Sequence, residues 1–232
     1  MNAFAKCLAL TVSSCVLAVS ASLADDPTIA WELNDALKQI DRQADNFASA
    51  MAHVTIVRTD RSGTEIERLE GVSFANDDGD MRISVSAPES RVYLMDSRDL
   101  YVYLPDQQLV QEYYLPKHPE RVVPFMRLGF SETGRDLRDD YIVSAIGERF
   151  IGDRRTLGLD LTPKSDKERA RVNRIQLWID QASWMPVEQI IEATASGEKT
   201  TVLFANMARN LKLNPDLFKR KWPRGTKKTK MK

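Results

Sequence analysis

A repeated rhythm of short β-strand segments separated by turn residues is the feature that most constrains the fold of this chain. Six such segments lie between residues 53 and 115, and five more lie between residues 141 and 205. Turn signals such as Arg61-Ser62-Gly63 and Asp78-Gly79 separate them. Because the connections are short, neighbouring strands should pair antiparallel. About eleven antiparallel strands are therefore predicted, and they could form a sandwich, a closed barrel or an open curved sheet.

Two helical segments accompany the predicted strands. After a capping Asp26 and Pro27, apolar side chains recur at helical spacing, which predicts an amphipathic helix over residues 28–46. Residues 119–130 form a second short piece that is apolar nearly all round. Because such surfaces must be buried or must cover something, we expect both segments to act as lids on the concave side of a curved sheet.

The first 24 residues have the pattern of a cleaved secretory signal peptide. One positive charge at Lys6 precedes an apolar run, and small residues lead to cleavage after Ala24. The alternative is lipidation of Cys15, since Val12-Ser13-Ser14-Cys15 loosely resembles a bacterial lipoprotein box. Both cysteines of the chain, Cys7 and Cys15, lie in this leader, so the exported chain is expected to contain no disulfide and no catalytic thiol.

Charge is balanced over the whole chain but not in its placement. The segment from Lys219 to Lys232 contains eight Lys or Arg and no acidic residue, whereas the single domain predicted over residues 25–218 is acidic. We favour a solvated terminus for this basic C-terminal tail. Export excludes nucleic acid, so the alternative partners are an anionic membrane surface or an acidic protein face.

Residues that would indicate an enzyme or a metal site do not form a recognisable constellation. The two histidines, His53 and His118, lack the spacing of zinc ligands or of a general base with its partner. The acidic run from Asn76 to Asp80 fits a hairpin turn better than a calcium loop, and no glycine-rich phosphate loop exists. The sequence therefore predicts a protein that is not an enzyme and that needs no cofactor or metal.

Binding by shape and apolarity remains as the predicted activity. The stretch RIQLWIDQASWMPVEQ alternates so that Ile175, Leu177 and Ile179 share one face and Trp178 lies on the other. We expect the apolar row to face the interior, and Trp178 to lie on the outer face or at an edge. Methionines are numerous enough to suit an adaptable surface for acyl chains.

Several short motifs resemble those of the periplasmic outer-membrane lipoprotein carriers of the LolA type and of their lipoprotein-sorting relatives. The stretch from Gly71 to Pro105 follows the family pattern without gaps, including Pro88 and the run from Asp96 to Pro105. Further matches, in the family's order, are Pro124-Phe125-Met126, Leu161-Thr162-Pro163-Lys164, Ser196 to Thr201, and Phe218 to Gly225. The resemblance covers nearly all of the exported chain.

That resemblance implies an open, half β-barrel whose apolar cavity is lidded by helices. It also implies a carrier that shelters the acyl chains of a lipoprotein in the periplasm. The family's Arg-Pro pair, whose arginine latches the lid, is replaced here by Asp77 and Asp78. This departure favours membership in the broader group of carrier-like proteins, which move other lipids alongside membrane transporters.

We predict a lipid-binding cavity from strand alternation combined with this resemblance. The wall residues are Met81, Ile83, Val85, Val92, Leu94, Leu177, Ile179, Val202 and Phe204, and the lid residues are Leu37, Ile40, Phe125 and Met126.

The predicted function is a periplasmic carrier, or lipid chaperone, that moves lipoprotein acyl chains or another lipid towards the outer membrane. Its expected partners are an inner-membrane transporter and an outer-membrane acceptor. An anionic membrane surface bound through Lys219 to Lys232 is the alternative to a solvated tail. The alternative from a different class is an envelope-stress sensor of the RseB-like type, which binds a membrane-anchored protein.

Overall fold

The computed structural model describes residues 32–96, 98–118, 125–126 and 128–231. The predicted signal peptide, the start of the predicted first helix and residues 119–124 of the predicted insert lie outside the described residues. Three α-helices are present in the described part: α1 (Leu33–Ala44), α2 (Gly134–Asp140) and α3 (Asp166–Arg169). The strands are β1 (Ser49–Thr59), β2 (Glu65–Asn76), β3 (Met81–Ala87), β4 (Arg91–Met95), β5 (Asp99–Leu104), β6 (Leu109–Tyr114), β7 (Tyr141–Ile151), β8 (Arg154–Pro163), β9 (Val172–Asp180), β10 (Pro186–Ala193), β11 (Lys199–Arg209) and β12 (Lys227–Lys230).

All these strands form one open sheet in the order β12-β6-β5-β4-β3-β2-β1-β11-β10-β9-β8-β7. Two antiparallel meanders, β1 to β6 and β7 to β11, join where β1 pairs with β11, for example at Val54 and Phe204. The sheet ends at β12 and β7 and does not close into a barrel. Of the three architectures that the strand rhythm allowed, the open sheet is confirmed.

Gly71 lies where the backbones of β2 and β3 approach each other closely. A Cβ atom at this position would lie 2.2 Å from the carbonyl oxygen of Ser84 on β3, which is closer than any side chain tolerates. The register between β2 and β3 shifts at Glu70 and Gly71. Glycine therefore permits the close approach of the two backbones at this irregularity.

The core lies on one face of the sheet, which we call the inner face. Helices α1 and α2 pack against each other on this side, and Ala36, Leu37 and Ile40 of α1 are buried in the core. The predicted amphipathic helix is therefore present between Leu33 and Ala44, and it ends two residues before the predicted end at residue 46. Phe47, three residues beyond the end of the helix, is also buried and extends the apolar stripe.

Helix α2 was not predicted from the sequence. Thr133 caps its first turn by accepting a hydrogen bond from the backbone N–H of Asp136, whose carboxylate accepts one from the N–H of Thr133 in return. This reciprocal capping box was readable as Thr133-Gly134-Arg135-Asp136. Leu137, on the buried side of this helix, is completely inaccessible to solvent.

The basic C-terminal segment differs from the solvated terminus that its composition favoured. Residues 215–231, which we call the strap, run along the sheet and end in β12, which pairs in parallel with β6. Trp222 lies with its ring centroid 5.3 Å from that of Tyr103 and 6.4 Å from that of Tyr101. The twelfth strand was missed because its sequence, Lys-Lys-Thr-Lys, contains no apolar residue to alternate.

Candidate functional site

The inner face presents a continuous apolar surface made from both meanders. Seven of the nine predicted wall residues belong to this one core cluster and are buried: Met81, Ile83, Val85, Leu177, Ile179, Val202 and Phe204. Strand register aligns their neighbours on the same face, since Met81 stands opposite Met95 and Ile83 stands opposite Tyr93. The lipid-binding role assigned to these residues stays a prediction.

Val92 and Leu94 do not belong to this wall, contrary to the sequence-based prediction. Leu94 lies on the opposite, outer face in a small cluster with Tyr101 and Val110, and Trp222 packs against it. Val92 is two residues away on the same strand and shares that face. Strand β4 is apolar on both faces, because the strap buries the outer one, so alternation alone could not tell the faces apart.

The inner face contains further residues that were not named as wall candidates. The same alternation, applied to β1, β4, β5 and β8, would have found them. They are Val54, Ile56, Tyr93, Met95, Leu100, Val102, Leu157, Leu159 and Leu161.

A lid covers this surface in place of a second sheet. We define the lid as α1, α2 and residues 125–126 and 128–130. All four predicted lid residues, Leu37, Ile40, Phe125 and Met126, are buried in the same cluster as the wall. Phe130 packs edge to face on Phe204 of β11, with ring centroids 5.2 Å apart.

The turn at Gly129 brings the lid directly onto the wall. Gly129 has a φ of +87°, and a Cβ atom there would lie 3.2 Å from both methyl carbons of Leu177. A side chain would therefore strain the backbone and crowd β9. The backbone N–H of Gly129 donates to the carboxylate of Glu132, at 3.1 Å, which helps to hold the turn.

Polar contacts fasten the lid at separate points. The buried amide nitrogen of Gln189, on β10, donates to the backbone carbonyl of Leu128. The carboxylate of Asp41 on α1 accepts a hydrogen bond of 2.7 Å from the backbone N–H of Gly134 at the start of α2. Asp77 and Asp78, which stand where the resembled family has its latch, belong instead to the β2–β3 turn. Sequence reasoning missed Gln189 because a lone glutamine in an apolar strand gives no motif.

A cleft of about 340 Å³ opens at one end of the lid. Its apolar part is formed by Leu115, Phe125, Leu128 and Leu137, and the charged groups around it include Glu132, Asp136, Asp140, Glu168, Lys167 and Arg171. Arg171 donates hydrogen bonds to the carbonyl oxygens of Leu115 and His118, at 2.5 and 3.2 Å, and so ties β9 to the end of β6. The cleft thus connects solvent with members of the core cluster.

Trp178 lies away from the core cluster that contains Leu177 and Ile179, as the alternation predicted. The guanidinium carbon of Arg149 on β7 stands 3.8 Å from the centroid of the Trp178 ring, and Arg149 also pairs with Glu188. The tryptophan is therefore buried on the outer face by a stacked arginine.

Tyr101 of β5, beneath the strap, has the most strongly shifted pKa of the outer face. Burial raises the pKa of Tyr101 to about 12, although Arg220, whose guanidinium lies 4.6 Å from the ring centroid, acts in the opposite direction. The hydroxyl of Tyr101 therefore stays protonated at neutral pH, as expected for a tyrosine that packs rather than reacts.

Neither histidine is placed with groups that suggest catalysis. His53 is exposed on β1, and His118 is buried edge to face against Tyr113, with ring centroids 5.1 Å apart. Within the described ranges, no three His, Cys, Asp or Glu residues come close enough together to hold a metal ion. The described helices include none that is both long and apolar enough to cross a membrane.

Comparison with protein families gives a match that spans most of this architecture. The model of the outer membrane lipoprotein carrier protein LolA matches residues 51–221, from β1 into the strap. The chain belongs to the LolA family. No significant match was found among curated protein sequences.

Solved structures share the LolA-like fold at low sequence identity. An uncharacterised conserved protein from Thermus thermophilus has a TM-score of 0.54 and 10% identity, over 86% of this chain and 100% of that chain. A LolA superfamily protein from Nitrosomonas europaea has a TM-score of 0.44 and 16% identity, over 82% and 99%. MucB in the MucA/MucB complex from Pseudomonas aeruginosa has a TM-score of 0.43 and 13% identity, over 80% and 60%.

Proposed function

We propose that this LolA-family protein is a periplasmic carrier that binds the acyl chains of a lipoprotein or another lipid on its inner face and moves them towards the outer membrane. One observation carries the proposal. The apolar inner face of an open sheet is covered by a lid of short segments, including Phe125, Met126 and the turn at Gly129. Such a cover can lift without breaking a β-ladder, and the surface beneath it then suits acyl chains.

The energetics explain why a carrier needs such a surface. Leaving an acyl chain in water costs about 0.8 kcal/mol per methylene, so a long chain costs on the order of 10 kcal/mol. The lid and the wall bury one another in the closed protein, which lowers the net gain on loading. Because the net free energy of binding is smaller, releasing the cargo to an acceptor costs less free energy.

The cleft beside the lid offers the entry route. Phe125 and Leu128 line it and also belong to the core cluster under the lid. Displacing these two side chains would extend the cleft onto the inner face. We therefore expect an acyl chain to enter between the end of β6 and α2.

The membrane surface at which cargo is exchanged would be met by β12. Lys227, Lys228 and Lys230 are all exposed on this edge strand, where Lys228 and Lys230 share one face and Lys227 lies on the other. Anionic lipid headgroups attract such lysines by roughly 1 kcal/mol per Lys close to the surface. The inner-membrane transporter and the outer-membrane acceptor stay predictions.

The test is to purify the protein from its native host and identify the lipids bound to it by mass spectrometry. In parallel, lipid-free protein would be titrated with a fluorescent fatty-acyl probe. Co-purified lipid together with saturable probe uptake supports the carrier. If the protein has no bound lipid and takes up no probe, the carrier proposal is overturned. A stable complex with a membrane-anchored protein that persists after the lipid has been removed would support the RseB-like alternative.

A further inference from the structure

Gln189 is an isolated carboxamide in the middle of the apolar inner face. It is 0% exposed, and the register of β10 places it opposite Leu177 of β9 and Val202 of β11, both fully apolar. A buried amide in such surroundings requires partners for both of its ends, because each unpaired polar group has lost its hydrogen bonds to water.

Only one end of this carboxamide has a partner in the closed lid. Its nitrogen donates to the backbone carbonyl of Leu128. Its oxygen, Oε1, is buried and accepts no hydrogen bond from the described residues. The orientation of the amide follows from chemistry, since the carbonyl of Leu128 can only accept. The unpaired oxygen is therefore buried beneath the lid, on the strand position that faces Leu177 and Val202.

Lifting the lid would release the nitrogen as well. Leu128 belongs to the turn that lies on the wall, and moving the turn away breaks the hydrogen bond between its carbonyl and Gln189. The carboxamide would then present one free donor group and one free acceptor to whatever occupies the inner face.

We propose that Gln189 recognises the amide group of an N-linked acyl chain, so that the preferred cargo is a lipid with at least one amide-linked chain. A secondary amide offers the N–H that Oε1 lacks and a carbonyl that replaces that of Leu128. An ester offers acceptors only and leaves Oε1 unpaired. The inference rests on the proposed function, because it names the chemical class of cargo for the same surface.

The experiment compares three probes on the wild-type protein. Each has the same saturated acyl chain and the same fluorophore, joined through a secondary amide, an N-methylated amide or an ester. We expect the secondary amide to bind roughly fivefold more tightly than the other two, which corresponds to about one hydrogen bond. The N-methylated probe keeps the carbonyl and lacks only the N–H, so it isolates the contact with Oε1.

Variants locate the effect. Gln189→Met keeps the length of the side chain and removes both polar ends, so it should bind the three probes equally. Ile191→Met is the matched control, because Ile191 is also 0% exposed and lies two residues along the same strand. This control should keep the preference for the secondary amide.

The outcomes separate the two proposals. If the wild-type protein binds all three probes with the same affinity, the amide recognition is overturned while the carrier stands. If it binds none of them, both are overturned. Should Gln189→Met fail to fold, the ratio of the secondary to the N-methylated amide on the wild-type protein still decides the inference.

Discussion

Arg220 of the strap and Asp96 at the end of β4 form an ion pair that joins residues 124 positions apart in the chain. Arg220 also lies 3.7 Å from the carboxylate of Asp99 and over the ring of Tyr101. These contacts anchor the strap to the outer face before the chain reaches β12. The strap is therefore part of the folded domain rather than an appendage to it.

We expect the Asp96 carboxylate, with its backbone hydrogen bonds and its ion pair, to make stability depend on pH in the acid range. Burial raises the pKa of Asp96, but hydrogen bonds from the backbone N–H groups of Arg98 and Asp99 and from Arg220 outweigh it, so the net pKa is lowered. A lowered folded-state pKa means that the unfolded chain binds the proton more readily. The stabilisation is thus present above the unfolded value of 3.8 and is lost as pH falls through the folded pKa.

The variant Asp96→Asn tests this expectation. Urea unfolding should show a loss of about 1 kcal/mol at neutral pH and a weaker fall of unfolding free energy in acid, because the charge-assisted part of the contact is gone. Asp35→Asn is the control, since Asp35 pairs with Lys38 while both side chains are mostly exposed. If Asp96→Asn leaves the loss of unfolding free energy in acid unchanged, the Asp96 carboxylate makes no measurable contribution to the pH dependence of stability.

Met95 and Leu94 allow the two faces of the sheet to be compared at neighbouring positions. They are 2% and 3% exposed, and they point to the inner and the outer face respectively. Met95→Ala and Leu94→Ala should each lower the free energy of unfolding by about 2–4 kcal/mol. Only Met95→Ala removes atoms that an acyl chain would contact, so it should weaken probe binding by roughly threefold to tenfold.

Fluorescence titration and urea unfolding of both variants provide the measurement. The two substitutions should destabilise the protein by similar amounts. A difference in probe affinity between them therefore shows which face of the sheet binds the probe, and does not reflect a general loss of stability. Equal weakening by Leu94→Ala would contradict binding on the inner face.

Most of the sheet could be predicted because its strands alternate and turn residues punctuate them. The pair Met81–Met95 follows from antiparallel neighbours with a short connection. The faces of β4 could not be assigned, since Val92 and Leu94 are as apolar as Tyr93 and Met95 and the strap covers the outer side. Periodicity identifies a face only where the other face meets water.

Two features depended on contacts that no local pattern reveals. Strand β12 is polar at every position, and its pairing with β6 follows from the anchoring of Trp222 and Arg220 upstream. Gln189 resembles any strand residue in sequence, and its role emerges only because the turn after Met126 brings Leu128 above it. Tertiary context determines both.

The lysines of β12 should decide how strongly the protein binds an anionic membrane. Replacing Lys227, Lys228 and Lys230 by Gln leaves the backbone pairing with β6 intact, since that pairing uses main-chain groups. We expect binding to anionic vesicles to weaken at least roughly tenfold and to lose most of its salt dependence. Vesicle co-sedimentation at increasing salt provides the measurement.

A charge-matched control separates position from net charge. Lys38, Lys199 and Lys212 are exposed on other parts of the surface, and replacing all three by Gln changes the net charge equally. If this control weakens vesicle binding as much as the β12 variant does, the edge strand has no special role and a diffuse charge effect explains the binding.

A reversible lock on the lid tests whether the lid must move for loading. A Cβ atom at Gly129 would lie 3.5 Å from the Cβ of Pro186 on β10, within the range of disulfide-bonded cysteines. The double variant Gly129→Cys with Pro186→Cys should therefore cross-link the lid turn to the wall when oxidised. The native cysteines, Cys7 and Cys15, both lie in the predicted leader and do not compete once it is removed.

Oxidation of this variant should slow the uptake of a fatty-acyl probe by at least roughly tenfold, and reduction should restore it, because the turn can then leave the inner face. The reduced form is the matched control. It has the same strain at Gly129, whose φ of +87° disfavours any side chain, and the same contact with Leu177. Stopped-flow fluorescence measures both rates on one sample. Equal uptake in the two redox states would show that acyl chains reach their site without lifting the turn, and the carrier would then have to load by another route.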